Sequence, residues 1–79
     1  MAELKYDVKK NLGVLGGEIN GWSKKINLIS WNERKAKADI RDWDKSNEKM
    51  RKGITLTKAE LIDLKKILLE TDLESLDMA

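Results

Sequence analysis

Apolar and polar residues alternate along most of the first 57 residues of the chain. A period of two is typical of β-strands that bury one face. The alternation predicts four strands, at about residues 4–15, 22–32, 35–43 and 53–57. Glycines at positions 13, 16 and 17 indicate a bulge or turn near the end of the first strand. Residues 18–21 are predicted to form a loop that closes on the turn-forming pair Asn20-Gly21.

The period changes at Thr57, where a helix is predicted to begin. Thr57 and Glu60 have the spacing of a capping box, in which the hydroxyl and the carboxylate each satisfy a free backbone N–H. Apolar residues then recur at helical spacing to about residue 70. Their arc is wider than packing on one sheet requires. We therefore expect the helix, residues 58–70, to pack against a second copy of the chain in a homodimer.

The order of these elements predicts an α+β fold. Four strands joined by connections short enough for hairpins form an antiparallel sheet, and one C-terminal helix follows it. Ile54 and Leu56 of the fourth strand are predicted to point inward. Residues 1–70 form one predicted domain, and residues 71–79 form an acidic tail. A chain of 79 residues is close to the size at which a domain gains stability from oligomerisation.

The small net charge of +2 conceals an uneven distribution of charge. Residues 1–57 contain 13 basic and 8 acidic side chains, a net charge of +5. Residues 58–79 contain 3 basic and 6 acidic side chains, a net charge of −3. The division predicts a basic sheet that meets a polyanion and a separate acidic helix and tail.

The residue inventory argues against an enzyme. The chain has no Cys and no His, which excludes disulfides, thiolate chemistry and the commonest metal ligand and general base. Asp39, Asp42 and Asp44 are not followed by a calcium-loop glycine pattern, and the glycine cluster is no phosphate loop. We expect no cofactor, no metal and no small-molecule substrate. No apolar run is long enough to span a membrane and the N-terminus lacks a signal-peptide pattern, so the expected location is the cytoplasm, with nucleoid association in a bacterium.

Basic and aromatic residues share one face of the two middle strands. The members of this face with candidate chemistry are Lys25, Asn27, Trp31, Lys37, Arg41 and Trp43, and a basic cluster before the fourth strand adds Lys49, Arg51 and Lys52. Cations follow the phosphates of a single strand while its unpaired bases stack on aromatic rings. A duplex keeps its bases stacked on one another and gains nothing from exposed indoles. The pattern therefore predicts binding of single-stranded nucleic acid.

The residues leave other roles open for the tryptophans. A tryptophan on a strand is also typical of a core or a dimer interface, and this alternative applies to Trp31 and Trp43. Trp22 is in phase with Ile26 and Leu28, so it is predicted to lie in the core or at the mouth of the loop. Asp39 lies on the basic face and is predicted to pair with Lys37, Arg41 or a lysine of the neighbouring strand.

Two segments resemble the signature of the transcriptional positive cofactor 4 family. They are Asp39-Ile40-Arg41-Asp42-Trp43 and Lys49-Met50-Arg51-Lys52-Gly53-Ile54-Thr55-Leu56, followed by a helix with an early glutamate, Glu60. Gly21-Trp22 and Ser30-Trp31-Asn32, with Lys25 and Asn27 between them, resemble the bacterial YdbC-like branch of that family. The resemblance extends from about residue 5 to residue 70.

The resemblance implies a curved four-stranded antiparallel sheet and a homodimer whose helices pack together. It also implies that single-stranded DNA crosses the sheet with little sequence preference. RNA is the alternative ligand that the residues leave open. The residues that it assigns to this surface are Arg41, Arg51 and Lys52 as phosphate contacts, Trp43 and Trp31 as aromatic positions, and Lys35 and Lys37 as a basic hairpin. The rival function is a protein-interaction module that docks a partner on the tryptophan face or the leucine-rich helix.

Overall fold

A computed structural model describes residues 5–79 as an open four-stranded antiparallel sheet followed by one helix. The elements are β1 (Tyr6–Ile19), β2 (Trp22–Trp31), β3 (Lys37–Asp44), β4 (Ile54–Leu56), α1 (Lys58–Glu70) and a short 3₁₀ helix (Leu73–Ser75). The strands lie side by side in chain order. The predicted α+β fold class is confirmed. Residue 4, the predicted start of the first strand, lies outside the described residues.

The first hairpin is longer than the sequence predicts. β1 continues to Ile19, so residues 18 and 19 are strand rather than loop. The pairing of β1 with β2 shifts register at three places, and Gly16 has a φ of 72° within one of these irregularities. Such bulges absorb extra residues and bend the strand, so the glycine cluster does not end it. Asn20 and Gly21 form the predicted turn, with φ angles of 51° and 83°.

The helix begins with the predicted capping box. The Glu60 amide donates to the Thr57 hydroxyl at 3.2 Å, and the Thr57 amide donates to the Glu60 carboxylate at 2.8 Å. The hydrogen bonds that the Glu60 carboxylate accepts from the Thr57 backbone and from the Thr57 side chain lower the pKa of Glu60 below its usual value of 4.5. The capping box therefore fixes the direction in which the chain leaves the sheet.

The two faces of the sheet are buried unequally. We call the face of Lys25, Asn27, Ile29 and Trp31 on β2, and of Lys37, Asp39, Arg41 and Trp43 on β3, the odd face. It contains most of the buried side chains of residues 5–79, including Ile29 and Asp39 at 0% exposure. The opposite, even face of Ile26, Leu28, Ala38 and Ile40 is more open. The predicted inward position of Ile54 is wrong, because 57% of this residue is exposed beside the open even face.

The helix stands beside the even face without covering it. An apolar hollow of about 630 Å³ remains between them, bordered by Leu12, Leu28, Ala38 and Leu61. No residue of α1 is buried. The radius of gyration is 14.4 Å, against about 12 Å for a compact chain of this length. The described part of the chain is therefore extended, and the apolar face of α1 is left uncovered.

Candidate nucleic-acid interface

Three aromatic rings form a cluster on the odd face. Tyr6 of β1 lies opposite Trp31 of β2, with ring centroids 5.6 Å apart, and its ring is 5.9 Å from that of Trp43. Trp31 is half-buried, whereas Trp43 is only 2% exposed. The sequence pattern places Trp43 among the stacking residues, but its ring has no open face on which a base could stack. Trp43 instead packs against Tyr6 as the buried member of the cluster.

A buried ion pair lies next to this cluster. Arg41 donates to both carboxylate oxygens of Asp39, from Nε and from Nη2, at 2.6 Å each. The guanidinium carbon of Arg41 is also 4.9 Å from the centre of the Trp31 ring. The pairing predicted for Asp39 is confirmed with Arg41 as its partner. The carboxylate thus fixes the guanidinium of Arg41 beside the Trp31 ring.

A basic groove opens in front of Trp31. Its volume is about 430 Å³, and its lining residues are Trp31, Arg34, Lys35, Lys37, Arg41 and Thr55. The groove contains four cationic side chains and no acidic one, so its potential is positive. The structure thus brings together four of the predicted site residues, Trp31, Lys35, Lys37 and Arg41. Arg34, which the sequence pattern misses because it follows β2 outside the alternating stretch, completes the groove.

A second concavity on the odd face contains carboxamides. This amide pocket has a volume of about 370 Å³ and is lined by Val8, Asn11, Lys25, Asn27, Trp43 and Asn47. Asn11 lies opposite Asn27 and donates to its carbonyl oxygen at 2.7 Å. Lys25 donates to the side-chain oxygen of Asn47 at 2.5 Å. The predicted residues Lys25 and Asn27 therefore meet here rather than in the basic groove.

The loop between β3 and β4 is organised by Asp44. Its carboxylate accepts hydrogen bonds from the Ser46 hydroxyl and from the backbone amides of Glu48 and Lys49, at 3.0–3.1 Å. Partial desolvation raises the pKa of Asp44, but these bonds, led by the one from Lys49, outweigh it and lower the pKa below 3.8. Lys49 is thus held through its backbone while its side chain is exposed, outside both concavities.

Arg51 packs against Trp22 and not against a tryptophan of the odd face. Its guanidinium carbon is 4.0 Å from the centre of the Trp22 ring. Both residues border a concavity with Lys24 and Asp42, which alternate with the odd-face residues and so lie on the other side of the sheet. Trp22 is half-buried there, at the mouth of the first hairpin. The remaining predicted residue, Lys52, is exposed in the segment before β4.

Gly53 allows this segment to return closely to β3. A Cβ atom at this position would lie 2.2 Å from the Ile40 carbonyl oxygen and 2.4 Å from the Arg41 Cβ. No real side chain tolerates such contacts, so glycine is required for β4 to pair beside Arg41. The sequence pattern marks this glycine only as part of a motif, whereas the structure gives its physical role.

Two features are absent from the part of the chain that the structure describes. Residues 5–79 contain no group of three or more acidic side chains placed to hold a metal ion. Within the same residues, no helix is long and apolar enough to cross a membrane.

Comparison with known proteins identifies related sequences. The family model of the transcriptional coactivator p15 (PC4) matches residues 18–67. A protein of Treponema pallidum (strain Nichols), named only as an uncharacterized protein, is 48% identical over 63 residues, which are 80% of this chain and 74% of the relative. The matched family consists of nucleic-acid-binding proteins with roles related to transcription, and the more specific resemblance to the YdbC-like branch stays a prediction. The chain belongs to the transcriptional coactivator p15 (PC4) family.

Proposed function

We propose that this protein binds single-stranded DNA on the odd face of its sheet, with little sequence preference along most of the bound strand. The basic groove is the observation that carries the proposal. There, a half-buried indole lies within a concavity whose charged side chains are all cationic. Phosphates would lie along Lys35, Lys37 and Arg34, and one unpaired base would stack on Trp31. Base–aromatic stacking of this kind contributes about 1–3 kcal/mol per base.

Trp31 is prepared for this role by the residues around it. Tyr6 and Arg41 contact its ring and limit its motion, and Asp39 fixes Arg41 in turn. A ring that is already immobilised loses little conformational entropy when a base stacks on it. A duplex would leave this ring unused, since its bases stack on one another. The geometry therefore favours single strands, and DNA maintenance or transcription is the setting in which we expect them. Such a role implies the cytoplasm, at the nucleoid in a bacterium.

Tryptophan fluorescence tests the proposal directly. Titration with a dT oligomer at low salt should quench emission, and Trp31→Ala should weaken binding by about tenfold, since it removes one stacked base. Trp22→Ala is the matched control, because Trp22 lies on the other side of the sheet against Arg51. Quenching that survives in Trp31→Ala, but disappears in Trp22→Ala, would assign the ligand to the wrong face and refute the proposal.

We further propose that the working unit is a homodimer formed through α1 and the even face. Among the described residues, Ile62, Ile67, Leu68 and Leu69 of α1 are 44–76% exposed. The hollow of about 630 Å³ beside α1 is also apolar. A chain of 79 residues has too little apolar interior to leave such surface in water at no cost. A second copy supplies the same apolar helix and would cover both surfaces at once.

The mass in solution tests this assembly. Light scattering on the full chain should give twice the 9.1 kDa mass of one chain. Ile67→Gln should shift the protein toward the monomer, whereas Lys66→Gln, one position earlier on the same helix, should leave the dimer intact. A monomeric wild-type protein, or equal behaviour of the two variants, would contradict the proposed interface.

A further inference from the structure

The amide pocket lies on the same face as the basic groove but has a different chemistry. It contains three carboxamides, from Asn11, Asn27 and Asn47, together with the ammonium group of Lys25. Asn27 is only 4% exposed, and it is held by the hydrogen bond from Asn11. Phosphate binding requires neither buried amides nor a pocket of about 370 Å³. A pocket of this size accommodates a nucleobase, whose edge carries the donors and acceptors that amides recognise.

Hydrogen-bond donors outnumber acceptors in this pocket. Lys25 has three N–H groups and gives one to Asn47, which occupies that oxygen. Asn27 keeps its amide N–H groups, because its oxygen is the atom that accepts from Asn11. The buried Nε1 of Trp43, another lining residue, has no acceptor among residues 5–79. A ligand oxygen that reached this N–H would remove the cost of an unpaired buried donor.

Asn11 supplies the complementary acceptor. It uses its amide nitrogen to bond Asn27, which leaves its carbonyl oxygen available to one N–H of a ligand. Val8 adds an apolar wall and is 42% exposed. The pocket thus suits a small ring that has two oxygen acceptors, one N–H between them and an apolar substituent.

We propose that the amide pocket selects an unpaired thymine from the bound strand. The inference rests on the proposed binding of single-stranded DNA and adds one base-selective position to it. Thymine has oxygens at positions 2 and 4 for the pocket donors and an N3–H for the Asn11 oxygen. Its methyl group meets Val8, as apolar side chains do in base recognition elsewhere.

Cytosine, uracil and adenine fit this set of groups less well. Cytosine replaces the 4-oxygen by an amino group and has no N3–H, so it brings a donor to a donor-rich wall. Uracil keeps both oxygens and lacks only the methyl group. Adenine has no keto oxygen. The expected order of affinity is therefore thymine, then uracil, then cytosine and adenine.

Equal-length oligomers of dT, dU and dC test the selection at one salt concentration. Their phosphate charge is identical, so counterion release contributes equally to all three. We expect dT to bind about tenfold more tightly than dC, within the range of a well-made base contact. Equal affinities of dT and dC would overturn the thymine pocket while leaving the proposed function standing. Failure of all three oligomers to bind would overturn the proposed function itself.

Variants separate the pocket from differences in stacking between the bases. Asn11→Ala should lower the dT:dC affinity ratio several-fold, and Val8→Ala should remove the difference between dT and dU and lower the dT:dC ratio by the same factor. Both positions are exposed on β1, so neither change empties a core. Val14→Ala is the control, because Val14 is also exposed on β1 but does not line the pocket. A dT:dC ratio that persists in Asn11→Ala would overturn the assignment to this pocket.

Discussion

The buried pair of Asp39 and Arg41 offers a test in which charge and geometry predict opposite results. Asp39→Asn raises the net charge by one, so a purely electrostatic account predicts tighter binding of DNA. In the structure, however, the two 2.6 Å bonds from Arg41 to Asp39 fix the guanidinium 4.9 Å from the Trp31 ring centre. Asparagine offers one neutral acceptor in place of two charged ones. Arg41 should then leave its position, and Trp31 should lose its support.

The magnitude follows from the stacking that this support makes possible. Loss of one well-placed base costs about 1–3 kcal/mol, and we expect the lower half of that range, or about tenfold weaker binding, because the ring itself remains. Stability should fall as well. Breaking a buried ion pair by removing one partner costs about 3–5 kcal/mol, and the retained asparagine oxygen should keep the loss near the lower limit.

The assay is an anisotropy titration of a labelled dT oligomer at several salt concentrations, with the melting temperature measured for each variant. Asp7→Asn is the matched control, because it makes the same change in charge at a surface pair with Lys9, where 66% of the Asp7 side chain is exposed. It should bind DNA no more weakly than the wild type. If Asp39→Asn folds too poorly to titrate, Arg41→Lys keeps the charge and removes the two-pronged contact. Asp39→Asn binding as tightly as Asp7→Asn would refute the positioning role.

Further predictions concern the segment that leads into α1 and the caps around it. Gly53→Ala should destabilise the protein by about 1–3 kcal/mol in denaturant titrations, because its methyl group overlaps the Ile40 carbonyl; a wild-type midpoint would show that β4 does not approach β3 as described. The lowered pKa of Glu60 means that its contribution to stability is fully present above pH 4.5 and disappears as the pH falls through the folded-state value. Thermal melts from pH 7 to pH 3 should therefore show a smaller loss in Glu60→Gln than in the wild type, with Glu74→Gln as a charge-matched control; identical losses in both variants would contradict this. The lowered pKa of Asp44 likewise means that its carboxylate stabilises the β3–β4 loop at neutral pH and that this stabilisation is lost as the pH falls. Asp44→Asn should therefore increase amide exchange at Glu48 and Lys49 at neutral pH, and unchanged exchange would contradict that role.

Alternation along the chain was sufficient to predict which residues share a face. It placed Trp31, Lys37 and Arg41 together, and the structure keeps them together in the basic groove. The capping residues were equally informative, because a capping box depends on contacts within four consecutive residues. Such a local pattern can be predicted from the sequence because the contacts that produce it involve only residues close together in the chain.

Alternation does not determine which face becomes buried. That depends on how far the whole sheet bends, and the glycines that indicate a bulge in β1 do not give the size of the bend. Trp43 is consequently buried beneath the aromatic cluster although its neighbours in sequence are polar. The sequence pattern does not predict the contact of Arg51 with Trp22 either. This contact joins the mouth of one hairpin to a segment about 30 residues later, a distance that periodicity does not address.

The family indicates nucleic acid as the class of ligand, whereas the proposed preference for single strands rests on the basic groove. Single strands expose base faces, and in the proposed function the half-buried Trp31 ring is the group that would distinguish them from duplexes. The cationic side chains around it would attract either form. The distinction therefore depends on one ring and on the residues that hold it.

The most direct test compares one oligonucleotide as a single strand and as a duplex with its complement, in titrations of the wild-type protein over a range of salt concentrations. We expect the single strand to bind more tightly at every salt concentration, and we expect the logarithm of its binding constant to fall linearly with the logarithm of the salt concentration. We also expect only the single strand to quench the tryptophan emission. Equal affinity for the two forms, with no change in emission for either, would contradict the central claim that Trp31 receives an unpaired base.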